Sequence, residues 1–209
     1  MSSNGKTAIA SVTPETIKLQ GGSLCLEFAN SVDWTEADEP RTPQTDALMS
    51  PSALARWGRR LGVLGGRRLP AVDADELEAA RALRLAVHRI FTALAQERAP
   101  SAADLDCLTR VHEQAAAAGR LGRADDGAWQ LQWPRSDPSR VRYAVAVDAM
   151  ALLADPARLA RVHRCPGPAC GWLFLDTSGR RRWCSMSTCG SRVKMRRLYE
   201  RRRAGDRRR

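Results

Sequence analysis

The sequence predicts an α+β protein in two parts: a mainly helical N-terminal domain with a small antiparallel sheet, residues 1–160, and a short cysteine-rich module, residues 161–209. Three observations lead there. Apolar residues step by threes and fours over residues 75–98 and 101–118, two short segments alternate apolar with polar residues, and four of the six cysteines fall within 25 residues near the C-terminus. With 209 residues, 44% apolar and 27% charged, the chain has the material for a packed core, which excludes a wholly disordered protein.

The elements follow in order. Residues 17–30 alternate apolar and polar around Gly21-Gly22, which predicts a strand through Leu24, Leu26 and Phe28. Residues 33–45 carry Pro40 and Pro43 and read as a loop. Ser50-Pro51 is a cap followed by proline at the first helical position; Leu54, Trp57 and Leu61 share one face, and Gly65-Gly66 is the expected stop. From Asp75 to about Arg98, Leu77, Ala80, Leu83, Val87, Ile90, Phe91 and Leu94 form one buried stripe. Ser101 with Asp104 resembles a capping box and opens a helix carrying Leu105, Leu108, Val111, Ala115 and Ala118, stopped at Gly119 and Gly122. Asp125-Asp126-Gly127 signals a turn before the alternating Trp129–Trp133, a strand that could pair with the one near Leu24. Asp137-Pro138 and Asp155-Pro156 repeat the cap-plus-proline signature ahead of residues 141–153 and of Leu159 with Val162.

The longest weakly polar run, Ala144 to Ala154, is broken by Asp148 and falls far short of the roughly 20 residues that span a bilayer, so no membrane span is expected. The first residues lack the apolar stretch of a secretory leader, and a cytoplasmic location follows as an expectation. Thiols there stay reduced and more often bind metal than form disulfides.

Charge is segregated. Residues 1–160 hold 19 basic and 20 acidic side chains, whereas residues 161–209 hold 15 and 3, so the whole formal excess of +11 is C-terminal. Only Lys6, Lys18 and Lys194 are lysine among the 34 basic residues, but a uniform bias toward arginine would not produce a segregated block. A cationic module on a nearly neutral domain points to a polyanion, and in the cytosol that is most commonly nucleic acid.

The cysteines read Cys165-x4-Cys170 and Cys184-x4-Cys189, two equal pairs. Two short chelating loops suit a tetrahedral ion with four sulfur ligands, and Pro166-Gly167-Pro168 suits a knuckle that folds back on itself. Structural zinc, Zn2+, is the leading expectation. Disulfides and unligated core cysteines are the alternatives, and His163 could replace one ligand. A module this small and this cationic cannot collapse on its own core, since chains near ~40 residues usually need a metal or disulfides. Four cysteines also close the coordination sphere, leaving no place for a catalytic water. Cys25 and Cys107 sit in apolar patterns as small core residues, and His88 and His112 lie on expected helices far from a nucleophile.

Between the pairs, Trp172–Leu175 should be a strand, Asp176–Gly179 a turn and Arg180–Trp183 the returning strand. The second pair leads into a helix from Ser191 to Arg203, so knuckle, hairpin and helix make a treble-clef-like finger. On that helix Val193 and Leu198, with Met195 or Tyr199 at the margin, can pack inward. Arg192, Lys194, Arg196, Arg197, Arg201 and Arg202 surround the rest, and with Arg180, Arg181 and Arg182 they are the candidate nucleic-acid contacts. At about 13 residues, or ~20 Å, the helix is long enough for a major groove.

Cys165-x4-Cys170-Gly-Trp-Leu-Phe-Leu-Asp followed by Arg-Arg-Trp-Cys184-Ser-Met-x-x-Cys189-Gly-x-Arg192-x-Lys194 resembles the CGNR zinc finger. Gly22-x-Leu-Cys-Leu-Glu-Phe-Ala-Asn-Ser and the helical stretch after it resemble the ABATE domain that usually precedes that finger. The resemblance implies a bacterial stress-induced transcriptional regulator, with the four cysteines holding zinc and the finger on double-stranded DNA. Ser191 stands where the family has asparagine, while Arg192 is retained. The N-terminal domain would then be regulatory, a small-molecule effector being one option, and the oligomeric state, a dimer included, stays open. The runner-up is an RNA- or ribosome-associated zinc module, favoured by the tail Arg207–Arg209. An enzyme is not expected: Glu27, Asp33 and Asp148 could line a pocket, but each has an ordinary solvated or capping alternative.

Overall fold

The computed structural model describes residues 12–41, 45–124, 127–168 and 170–206, without the side chains of Arg197 and of residues 202–206. Pro43 of the expected loop, the turn at Asp125-Asp126 and the tail Arg207–Arg209 lie outside the described residues. The element order is α1 (Leu24–Ala29), α2 (Pro51–Arg60), α3 (Ala74–Ala95), α4 (Ala102–Ala118), β1 (Arg120–Arg123), β2 (Trp129–Gln132), α5 (Arg140–Leu153), α6 (Pro156–Leu159), β3 (Val162–Arg164) and β4 (Leu173–Leu175). A π turn at Met186–Gly190 then leads into α7 (Ser191–Asp206).

The helix starts fall where the capping chemistry puts them. Ser50, Asp73, Ser101 and Asp155 each accept a hydrogen bond from the backbone N–H three residues on, satisfying donors that the first turn leaves free. Ser139 rather than Asp137 precedes α5, with Asp137 accepting from the Ser139 N–H. The α2 helix stops at Arg60, ahead of the expected double glycine, and Gly62 takes the left-handed conformation that turns the chain.

Helix α3 is the axis of the core. Its Leu83, Val87, Ile90 and Phe91 are fully buried among α1, α4 and α5, as its periodicity requires. The α4 stripe is narrower than its sequence suggests: Leu108, Val111 and Ala115 are buried, but Leu105 faces solvent and Cys107 is only half-buried.

Four expectations are corrected. Residues 24–29 form a helix, not a strand. Cys25, Phe28 and Ala29 are buried at helical spacing, and Glu27 reaches back to accept from the N–H groups of Gln20, Gly21 and Gly22. With no strand there, β2 pairs antiparallel with β1, Leu121 opposite Leu131. Residues 162–164 are a strand, not a helical continuation, and β3 pairs antiparallel with β4, Val162 opposite Leu175. The cysteine knuckle therefore lies inside the hairpin. Residues 180–183 do not return as a strand, because Asp176 accepts from the Ser178 and Arg181 N–H groups and curls them into a loop.

The hairpin β3–β4 is built into the helical core. Val162, Leu173 and Leu175 belong to the same buried cluster as Leu26, Phe28, Val87 and Phe91. A second, small cluster of Cys165, Phe174, Cys184 and Cys189 sits on the opposite face of β4, as the alternation of a strand demands.

Candidate metal centre

Three pieces of backbone deliver the four cysteines. Cys165 follows directly on β3, and its N–H donates to the Trp172 carbonyl at 2.8 Å; the knuckle folds Cys170 back, its N–H on the Gly167 carbonyl at 3.1 Å. The Cys184 N–H donates to the Cys165 sulfur at 3.4 Å, and the π turn brings Cys189 round. All four Sγ atoms lie within 4.8 Å of one another, with Cys170–Cys184 and Cys184–Cys189 at 3.5 Å. Sulfurs bound tetrahedrally at ~2.3 Å from zinc are about 3.8 Å apart, so the donor set fits such an ion. The site is closely walled: a Cβ on Gly167 would stand 2.9 Å from the Cys189 sulfur, so only glycine fits this turn of the knuckle.

The sulfurs require a cation to ionise together. Hydrogen bonds from the Cys170 and Cys184 thiols lower Cys165 far below an ordinary thiol. The same sharing with Cys165 raises Cys170 and Cys184, burial adding to the effect. One thiolate is therefore easy to form and the next are not, whereas a divalent ion at the centre would offset the repulsion of four.

Polar contacts bind the knuckle to the helices. Buried Asn30 donates from Nδ2 to the Leu173 carbonyl at 2.7 Å and accepts the Leu173 N–H at 2.9 Å. The Trp172 indole N–H points to the Val32 carbonyl and to Asp33, whose carboxyl burial raises above the usual range. Gly171 has φ of 69° and lies so close to Trp34 that a Cβ would meet the Trp34 Cβ at 2.6 Å. Its carbonyl accepts from His88 Nε2, and the His88 ring stacks on Trp34 at 3.6 Å between centroids. Arg164 pairs with Asp38 at 3.0 Å.

The candidate basic contacts divide into distinct environments. Arg181 is half-buried over the Phe174 ring at 4.4 Å, and its guanidinium donates to the carbonyls of Gln20, Trp183 and Cys184. Arg180 and Arg182 on either side are exposed. On α7, Arg192, Lys194, Arg196 and Arg201 face solvent, and Arg196 pairs with Glu200 across one turn. Arg197 and Arg202 lie on the same helix. Val193 is half-buried, but Leu198, Met195 and Tyr199 are 40%, 50% and 60% exposed, so the helix stands out from the π turn and does not pack inward along its length.

The family model ABATE, described as "putative stress-induced transcription regulator", matches residues 22–156. The chain belongs to the ABATE family. A second model, the CGNR zinc finger, follows it at residues 161–202, and the four-cysteine cluster lies within that match. Among curated proteins none matches the chain. Ser191, at the family's asparagine position, donates to the Met186 carbonyl at 3.0 Å and closes the π turn. The carboxylates weighed for an ABATE enzyme are engaged structurally: Glu27 on three backbone N–H groups, Asp148 on the Ser23 hydroxyl and the Cys25 N–H, Asp33 on Trp172. His163 is exposed on β3, outside the sulfur cluster. Sequence reasoning placed His88 on a helix without its contact to the knuckle, and did not single out Asn30 or the positioning role of Arg181; for Asn30 the signal was a polar side chain closing the apolar run Leu24–Ala29.

Proposed function

We propose that this ABATE protein is a bacterial, cytoplasmic DNA-binding transcription regulator, in which residues 1–160 sense a signal and residues 161–209 read double-stranded DNA through a structural zinc site of four cysteines. The observation that carries it is the placement of four converging sulfurs at the root of α7, a 16-residue helix that projects cationic side chains into solvent. Bound zinc supplies cross-linking of Cys165, Cys170, Cys184 and Cys189, worth roughly 10–16 kcal/mol in small fingers. The chain's own residues do the rest. Arg181 and the π turn fix where α7 begins, and Arg180, Arg182, Arg192, Lys194, Arg196, Arg197, Arg201 and Arg202 meet phosphates by charge and by guanidinium hydrogen bonds.

The test is fluorescence anisotropy of labelled duplex DNA, with structured RNA as competitor, over a salt series. Six to eight phosphate contacts give a log–log slope of about −5 to −7. Cys184→Ser should lose both stoichiometric zinc and duplex binding. Affinity that survives chelation overturns the zinc-dependent reading, and a strong preference for RNA replaces it with the RNA- or ribosome-associated alternative.

A further inference from the structure

A cleft of about 600 Å³ opens in the ABATE segment, away from the sulfurs, between the end of α2, the strand β2 and the start of α5. Leu61, Val63, Leu131 and Trp133 are among its lining residues, together with Gln130 and Gln132. The Trp133 indole is held by its N–H on the Ala115 carbonyl at 2.8 Å and by the Tyr143 ring 5.8 Å away, so that part of the lining is preformed. Arg135 and Arg140 supply the charge.

Neither cation forms an ion pair among the described residues. Arg140 is half-buried; its Nη2 donates to the Val63 carbonyl at 3.0 Å, yet its buried Nε has no partner among the described residues. Burial and the nearby Arg135 lower the Arg140 guanidinium below its ordinary value, and Asp137 offsets this only in part. Arg135 is exposed and lies over Gly66, where a Cβ would be 3.8 Å from its Nη1. A buried charged donor left open is costly, and an anion would satisfy it. The volume is that of a small-molecule site, and its exposed lining is more polar than apolar, with Gln130 and Gln132 beside the two arginines.

We propose that this cleft binds an organic carboxylate with an apolar body, its carboxylate held between Arg135 and Arg140 and its body between Val63 and Trp133. A carboxylate matches the planar guanidinium fork, and the Val63 and Trp133 side chains in the lining offer its body apolar contact. The site rests on reading the ABATE segment as the sensing half of the protein. Its binding is measured without DNA, so its failure and that of the DNA-binding reading are separate results.

The experiment is calorimetric titration of the full zinc-loaded chain with phenylacetate, 3-phenylpropionate and octanoate, against 3-phenylpropionamide and inorganic phosphate. Saturable binding of at least one carboxylate is expected, weakened roughly tenfold or more in the amide and in Arg135→Met or Arg140→Met. Exposed Arg135 keeps the variant test open where Arg140→Met does not fold, and the undisturbed far-UV spectrum of Arg135→Met checks that. Absence of carboxylate binding at millimolar concentration, equal binding of amide or phosphate, or binding indifferent to both arginines would each overturn the proposal.

Discussion

His88 on α3 donates from Nε2 to the carbonyl of Gly171, the residue after Cys170, at 2.9 Å. A carbonyl can only accept, so that nitrogen carries the proton, and Nδ1 stands 4.0 Å from Asp38. Burial lowers His88 to about 4 from its ordinary 6.5, with Asp38 and the Gly171 bond opposing and Arg164 and Arg89 assisting. The fold thus prefers the neutral ring. Stability from this group is fully present above pH 6.5 and is lost as pH falls toward 4, by about 3 kcal/mol in all. His88→Gln keeps a donor for Gly171 but does not titrate. Urea denaturation at several pH values should show that limb flattened in the variant, and an unchanged limb would assign it to other groups.

Asp46 and Arg84 form a buried bidentate pair, both bonds at 2.7 Å. Burial raises the Asp46 carboxyl, but the Arg84 hydrogen bonds and charge overcome this and hold it below its ordinary value. Its contribution is therefore present above pH ~4 and lost as pH falls through the lowered folded value. Asp46→Asn leaves a guanidinium buried and unpaired, which should cost about 3–5 kcal/mol in urea midpoint measurements at neutral pH. A smaller loss would mean that water reaches Arg84.

Arg181 and Arg182 are neighbours with different work. Arg182→Ala removes one exposed cation and should lower the salt slope of DNA binding by about 0.9 with little change in melting temperature. Arg181→Ala strips three carbonyls of their donor and the Phe174 ring of its cation, so the melting temperature should fall while the slope stays near the wild-type value. Identical behaviour of the two variants in both measurements would contradict this division.

Gly167→Ala tests the walls of the metal centre. The added methyl would crowd the Cys189 sulfur, and competition against a chromogenic chelator should show zinc held roughly ten times more weakly or worse. Unchanged affinity would mean that the knuckle can shift without moving its sulfurs.

Much of this was legible in the chain itself. Each of Ser50, Ser101 and Asp155 announces a helix because its side chain acts on its own neighbours, and the cysteine spacing is equally local. What stayed hidden depended on distant partners. Residues 24–29 present apolar side chains at both helical and alternate spacing, and only burial against α3 and α5 decides between them. Strand β3 exists because β4 pairs with it, and nothing within Val162-His163-Arg164 states this. Arg120–Arg123 contains a glycine that reads as a stop until Trp129–Gln132 lies beside it. In the same way, Arg181 looks like its neighbours until the Phe174 ring and the Gln20 carbonyl come into place.

The hairpin β3–β4 makes the finger a poor cassette. A graft of residues 161–206 onto a foreign protein would carry its sulfurs along but strand Val162, Leu173 and Leu175 without their sockets, and the Leu173 amide without Asn30. Stripping the ion would in turn loosen one side of the helical bundle, so a chelator should act as a denaturant of the entire chain.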